Sequence, residues 1–90
     1  MRRPIPEISR FFGIVIKMFI DDHHPPHFHA AYGDREALID IRSLSVFAGR
    51  LPPRVVGLII EWATLHQQEL LDDWGRAQAK QSLKKIDPLE

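Results

Sequence analysis

The apolar pattern of this chain changes period halfway along, and nothing else in it restricts the fold so strongly. Up to Phe47 apolar residues tend to alternate; beyond Pro52-Pro53 they return every third or fourth position. Alternation belongs to strands that bury one face, and the longer period belongs to helices. The first half therefore predicts a sheet and the second half its cover.

From Phe11 to Ile20 the residues are mostly aromatic or β-branched, the types that fit a pleated, half-buried surface. Ile14, Ile16, Met18 and Ile20 share one face there, and Val15, Lys17 and Phe19 the other. Asp21 to Pro26 is a polar, proline-containing connection. A second strand over His27–Tyr32 puts His27, His29 and Ala31 on one side and Phe28, Ala30 and Tyr32 on the other. Gly33-Asp34 supplies a tight antiparallel turn. Glu36 to Ile41 alternates again, with Ala37, Ile39 and Ile41 facing one way, and Leu44 to Phe47 fits a short fourth strand closed by Gly49.

Pro52-Pro53 opens a helix well, because a first-turn proline lacks only a donor that would have no partner there. Val55, Leu58, Ile59, Trp62, Ala63, His66, Leu70, Trp74 and Ala77 then fall within an arc of roughly 160°, a core-facing stripe. Either one long helix or two short ones fits, with Gly75 the candidate break. The expected fold is α+β: an antiparallel meander of three to four strands covered on one face by a C-terminal helix or helix pair. A single domain over residues 1–90 divides into an arm (1–10), the meander (11–48), a helical part (52–80) and a tail or short edge strand (81–90).

Composition excludes several functions. With no cysteine there is no disulfide framework, thiolate metal site or cysteine nucleophile. No apolar run approaches the roughly 18 residues of a membrane span. Early prolines and charges interrupt any signal-peptide core, so a cytoplasmic location is expected. Net charge is zero. Residues 1–20 carry four bases against one acid, residues 21–50 three against five, and residues 51–90 five against six. That is not the basic face of a duplex-DNA binder. The basic first segment leaves RNA or an acidic partner open, and self-association is equally unconstrained.

Histidine is where the sequence departs from the ordinary. Four of its five histidines, His23, His24, His27 and His29, lie within seven residues. On a strand, His27 and His29 point the same way about 6.5–7 Å apart, close enough to converge on one ion. His23 and His24 lie in the approaching loop, which the two prolines stiffen, so either can complete the set. Asp21 or Asp22 can add an oxygen, or Asp22 can orient an imidazole. Nitrogen and oxygen donors without sulfur suit zinc first, with nickel, copper and iron as alternatives.

Two other uses of these atoms compete with a metal. Histidines in such a segment can serve the fold alone, ordering a hairpin in a non-enzymatic interaction module. His27 and His29 can instead act as catalytic general base and acid, which suits RNA transesterification, with Lys17 or Arg35 stabilising the phosphate. On the helix, His66, Glu69 and Asp73 share one side, and the two acids read most simply as a solvated pair. Trp62 and Trp74 read as core or interface residues.

The order Pro6-Glu7-Ile8-Ser9-Arg10-Phe11-Phe12-Gly13-Ile14, then Asp22-His23-His24-Pro25-Pro26-His27-Phe28-His29 with Tyr32-Gly33, resembles a family of small bacterial proteins known as domain of unknown function 4160. Gly49-Arg50-Leu51-Pro52-Pro53-Arg54, Glu61-Trp62 and the closing Leu83-Lys84-Lys85-Ile86 extend the resemblance over nearly the whole chain. It implies a one-domain protein working beside a cognate small protein encoded alongside, in a toxin–antitoxin-like pair.

Overall fold

The computed structural model describes residues 6–90. Its first half forms five strands: β1 (Glu7–Phe11), β2 (Ile14–Lys17), β3 (His27–Tyr32), β4 (Arg35–Asp40) and β5 (Ser45–Gly49). They pair antiparallel in sequence order, an uninterrupted meander. The architecture is the expected α+β one, but the sheet has five strands where three to four were expected.

The extra strand is β1, built largely from residues 7–10, which were assigned to the arm; the arm's first five residues lie outside the described ones. What separates β1 from β2 is a two-residue turn at Phe12-Gly13, with φ of 49° and 78°. Phenylalanine is a poor marker for such a turn, so the sequence from Phe11 to Ile20 reads as one long strand.

One face of the sheet is the core face. Ile14, Ile16 and Met18 of β2 and its extension, Phe28 and Ala30 of β3, and Ala37, Ile39 and Ile41 along β4 are all buried there. Register explains the alignment, since Ile16, Ala30 and Ala37 stand opposite one another across three strands. The last strand contains a bulge. Val46 opposes Ile39 and Ala48 opposes Leu38, leaving Phe47 as the extra residue. At Gly49, φ is +78° and a β-carbon would lie 2.2 Å from the Glu36 carbonyl oxygen. Only glycine fits that approach of two backbones.

Two helices cover the core face: α1 (Pro53–Leu65), with proline in its first turn as expected, and α2 (Gln67–Gln78). Their buried residues are Val55, Ile59, Trp62 and Ala63 on α1, and Leu70, Asp73, Trp74 and Ala77 on α2. The break falls at His66, whose N–H reaches both the Trp62 and Ala63 carbonyls, and not at Gly75. Gly75 is exposed within α2. Its cost there, about 1 kcal/mol against alanine, is one that packing through Leu70, Trp74 and Ala77 absorbs.

The tail forms no strand of its own, yet it closes the β1 edge. The Ile86 N–H donates to the Ile8 carbonyl at 2.8 Å, and Ile86 and Leu89 are buried. Trp62, fully buried, donates its indole N–H to the Asp87 carbonyl at 2.8 Å. Asp73 corrects the expectation of a solvated acidic pair. It is fully buried, and its Oδ1 accepts from Arg76 Nη1 at 2.8 Å and from the Lys84 N–H at 2.9 Å. Among the described residues no helix is long and apolar enough to cross a membrane.

Candidate metal centre

The histidine face of β3 is the face turned away from the main core. His27 and His29 occupy alternate positions on it, as the alternation of the sequence requires. Across the strand pairs, Lys17 stands opposite His29 on one side and Leu38 on the other. Asp22 comes to this face from the loop between β2 and β3, and α2 holds that loop. The Asp21 N–H donates to the Ala77 carbonyl at 3.1 Å, and Gln78 Nε2 donates to the Asp22 carbonyl at 3.0 Å.

Asp22 Oδ2 lies 3.0 Å from His27 Nε2 and 3.2 Å from His29 Nε2. The far nitrogen of each ring is also engaged: His27 Nδ1 lies 2.6 Å from the Pro25 carbonyl oxygen and His29 Nδ1 lies 2.9 Å from Glu36 Oε1. A carbonyl or an ionised carboxylate can only accept. Both Nδ1 atoms therefore carry hydrogen, and in the neutral tautomer both Nε2 atoms present bare lone pairs. Those lone pairs meet Asp22 Oδ2, which brings another. Three acceptors cannot satisfy one another, so the group must either take up protons or hold a cation among the three.

The geometry fits a cation. One donor atom each from Asp22, His27 and His29 can be chosen so that all lie within 4.8 Å of one another. A tetrahedral zinc with bonds of about 2.0–2.1 Å sets its ligand atoms about 3.3 Å apart, close to the two contacts above. The bonds from Nδ1 to Pro25 and Glu36 are of the kind that fixes the tautomer and ring plane of a metal-binding histidine. Asp22, His27 and His29 thus form a group able to hold a metal ion.

The surroundings are apolar on the ring faces. Phe19 packs edge-on to His29 at 4.3 Å between centroids; Phe47 and Trp74 lie 5.4 and 5.3 Å from His27. His27 is 5% exposed and Asp22 21%. Burial pushes the Asp22 carboxyl up. The His23 N–H at 2.8 Å, the His29 hydrogen bond and the charges of the two rings together outweigh it and hold the group below its ordinary range.

Of the sequence candidates, His27, His29 and Asp22 come together, with Asp22 touching both rings directly. His23 and His24 stand outside the group: both are exposed, His23 supplies only its backbone N–H to Asp22, and the His24 ring packs 5.6 Å from Trp74. Lys17 is on the site's face, where Glu36 Oε2 lies 3.8 Å from its Nζ. Arg35 pairs with Tyr32 and so belongs to the opposite face. Glu36 is the partner that the sequence reading left without a role. A two-residue turn at Gly33-Asp34 fixes Ala31 opposite Glu36, which makes Glu36 a diagonal neighbour of His29, within reach of a long side chain.

Comparison with known proteins agrees with the resemblance carried by the histidine segment. No curated protein and no solved structure matches the chain. The family model for a domain of unknown function, DUF4160, matches residues 13–75, from the turn before β2 almost to the end of α2. The chain belongs to the DUF4160 family.

Proposed function

We propose that this protein binds one divalent transition metal through Asp22, His27 Nε2 and His29 Nε2, zinc being the first choice. The supporting observation is the meeting of three lone-pair donors whose other hydrogen bonds are already made. One cation satisfies all three and leaves the bonds to Pro25 and Glu36 intact. Three protein ligands also leave a coordination position open, as catalytic rather than structural zinc sites do. Elemental analysis of untagged protein tests this, with about one metal per chain expected and none after His27→Ala/His29→Ala. Wild-type protein that stays metal-free after incubation with excess zinc, nickel, copper or iron overturns it.

The chemistry we assign to the open position is attack on a phosphoester, with RNA as the substrate class. Lys17 supports it, a cation on the same face directly across from His29. So does Phe47, which the β5 bulge leaves 46% exposed beside His27, where an unstacked base can rest. Loss of RNA cleavage, or of growth arrest on expression, in the double-alanine variant is the expected result. Cleavage or arrest that persists unchanged removes the hydrolytic role. A role as a partner-binding module then remains, with the metal only ordering the hairpin.

A further inference from the structure

Phe12 in the turn between β1 and β2 and Arg54 in the first turn of α1 are both locally unfavourable, and they line the same cavity. Phe12 sits at φ 49°, a left-handed conformation that an ordinary side chain disfavours. Leu44 has a similar φ of 55°, but it is partly buried and packs on the core, whereas Phe12 is 58% exposed. Arg54 places a cation in the first turn of α1, which has no acidic residue there and no side-chain cap. A positive charge at that end opposes the helix dipole. Sequences break local rules of this kind chiefly where function asks for it.

The cavity between them measures about 320 Å³ and is lined by Phe12, Tyr32, Arg54, Val55 and Leu58. Phe12 is braced edge-on against Phe11, with centroids 6.3 Å apart. Tyr32 lies over Gly13, its ring 3.5 Å from where a β-carbon would stand, and is 38% exposed. Among the described residues no carboxylate lines the cavity. Arg35 stands across the strands from Tyr32 but does not line the cavity, and among the described residues Arg54 is not ion-paired.

We propose that this cavity binds a nucleotide unit, its base stacked on Phe12 and Tyr32 and its phosphate on Arg54. Aromatic faces take any base, and the Arg54 guanidinium matches phosphate in a forked, bidentate fashion. The site is separate from the metal centre. Tyr32 ends β3 and His27 begins it, about 17 Å apart along the strand and on opposite faces. It is also independent of whether a metal binds there.

NMR titration of the full chain with AMP, adenosine, inorganic phosphate and a short single-stranded oligoadenylate tests the proposal. AMP is expected to shift the Phe12 and Tyr32 ring signals saturably, with adenosine at least tenfold weaker and phosphate leaving the rings unmoved. A tighter fit for the oligoadenylate than for AMP identifies the ligand as a strand of RNA; equal affinity identifies a free nucleotide. Phe12→Asn suits the left-handed turn better than phenylalanine, and Arg54→Gln relieves the helix dipole. Both variants are therefore expected to melt no lower than wild type while weakening AMP about tenfold or more. AMP that does not bind, or that binds both variants as it binds wild type, overturns the proposal.

Discussion

Asp22 Oδ2 and His27 Nε2 face each other across 3.0 Å, and in the neutral tautomer neither atom carries a hydrogen, because His27 Nδ1 already donates to the Pro25 carbonyl. The same deficit repeats at His29, whose Nδ1 donates to Glu36. Because both Nδ1 atoms are committed, only added protons or a cation can hold these contacts together, which makes the cluster more than histidines lying close together. It also makes the ligands separable by substitution. Asp22→Asn replaces a charged ligand with a weak neutral one of the same shape. Zinc affinity measured by competition with a chelator is expected to fall at least a hundredfold, a larger loss than the removal of an orienting partner causes.

Glu36 touches no other member of the group of three except through His29. Its loss should act on the orientation and tautomer of that ring. Glu36→Leu is expected to weaken zinc about 10- to 100-fold, while Glu36→Gln, which keeps an accepting oxygen, stays near wild type. Nitrogen NMR of His29 should show hydrogen on Nδ1 in wild type and in the glutamine variant, and a tautomer mixture in the leucine variant. Because Glu36 is exposed, the melting temperature should barely move.

Asp40, directly across β3 and β4 from His27, gives a pH dependence of its own. Its carboxyl is held below its ordinary value first by the Ser43 N–H at 3.0 Å, against burial, which raises it, and then by the Arg42 N–H at 2.8 Å. A group with a lowered folded-state pKa contributes stability above its unfolded value, near pH 4, and loses it as pH falls through the folded value. The difference in melting temperature between wild type and Asp40→Ala should thus be full at pH 6 and shrink steadily below about pH 4. A constant difference down to pH 2 would refute this role for the carboxylate.

Trp62 joins the layers. Fully buried, it contacts Phe11 and Phe28 of the sheet and carries the tail through its bond to the Asp87 carbonyl. Trp62→Ala is expected to cost about 3–5 kcal/mol by denaturant unfolding. Trp62→Phe should keep most of the packing. Its chief effect should be earlier proteolysis of the tail, since the Asp87 carbonyl loses its partner.

Several positions separate local from distant information. The faces of β2, β3 and β4 could be read from alternation alone, because a strand with one buried face must place Ile14 with Ile16 and Ala37 with Ile39. Trp62 and Trp74 were legible as core for the corresponding reason on the helices. The turn at Phe12-Gly13 was not legible, since its first residue contradicts the turn type it adopts. The burial of Asp73 was not legible, because beyond its helical neighbour Arg76 it needs the Lys84 N–H, which arrives only when the tail folds back over α2.

At the centre itself, the alternation of His27 and His29 on one side of a strand is a local property, carried by the order of residues and the pleat. Selecting Asp22 over His23 and His24 is not local. The end of α2 grips the loop through Ala77 and Gln78, some fifty-six residues from the aspartate in the case of Gln78, and turns that one side chain toward the two rings. Glu36 reaches His29 in turn only because two strands stand in a fixed register. Neighbours along the chain set which way a side chain points; which side chains meet is set by packing between segments whose separation in sequence carries no periodic signal.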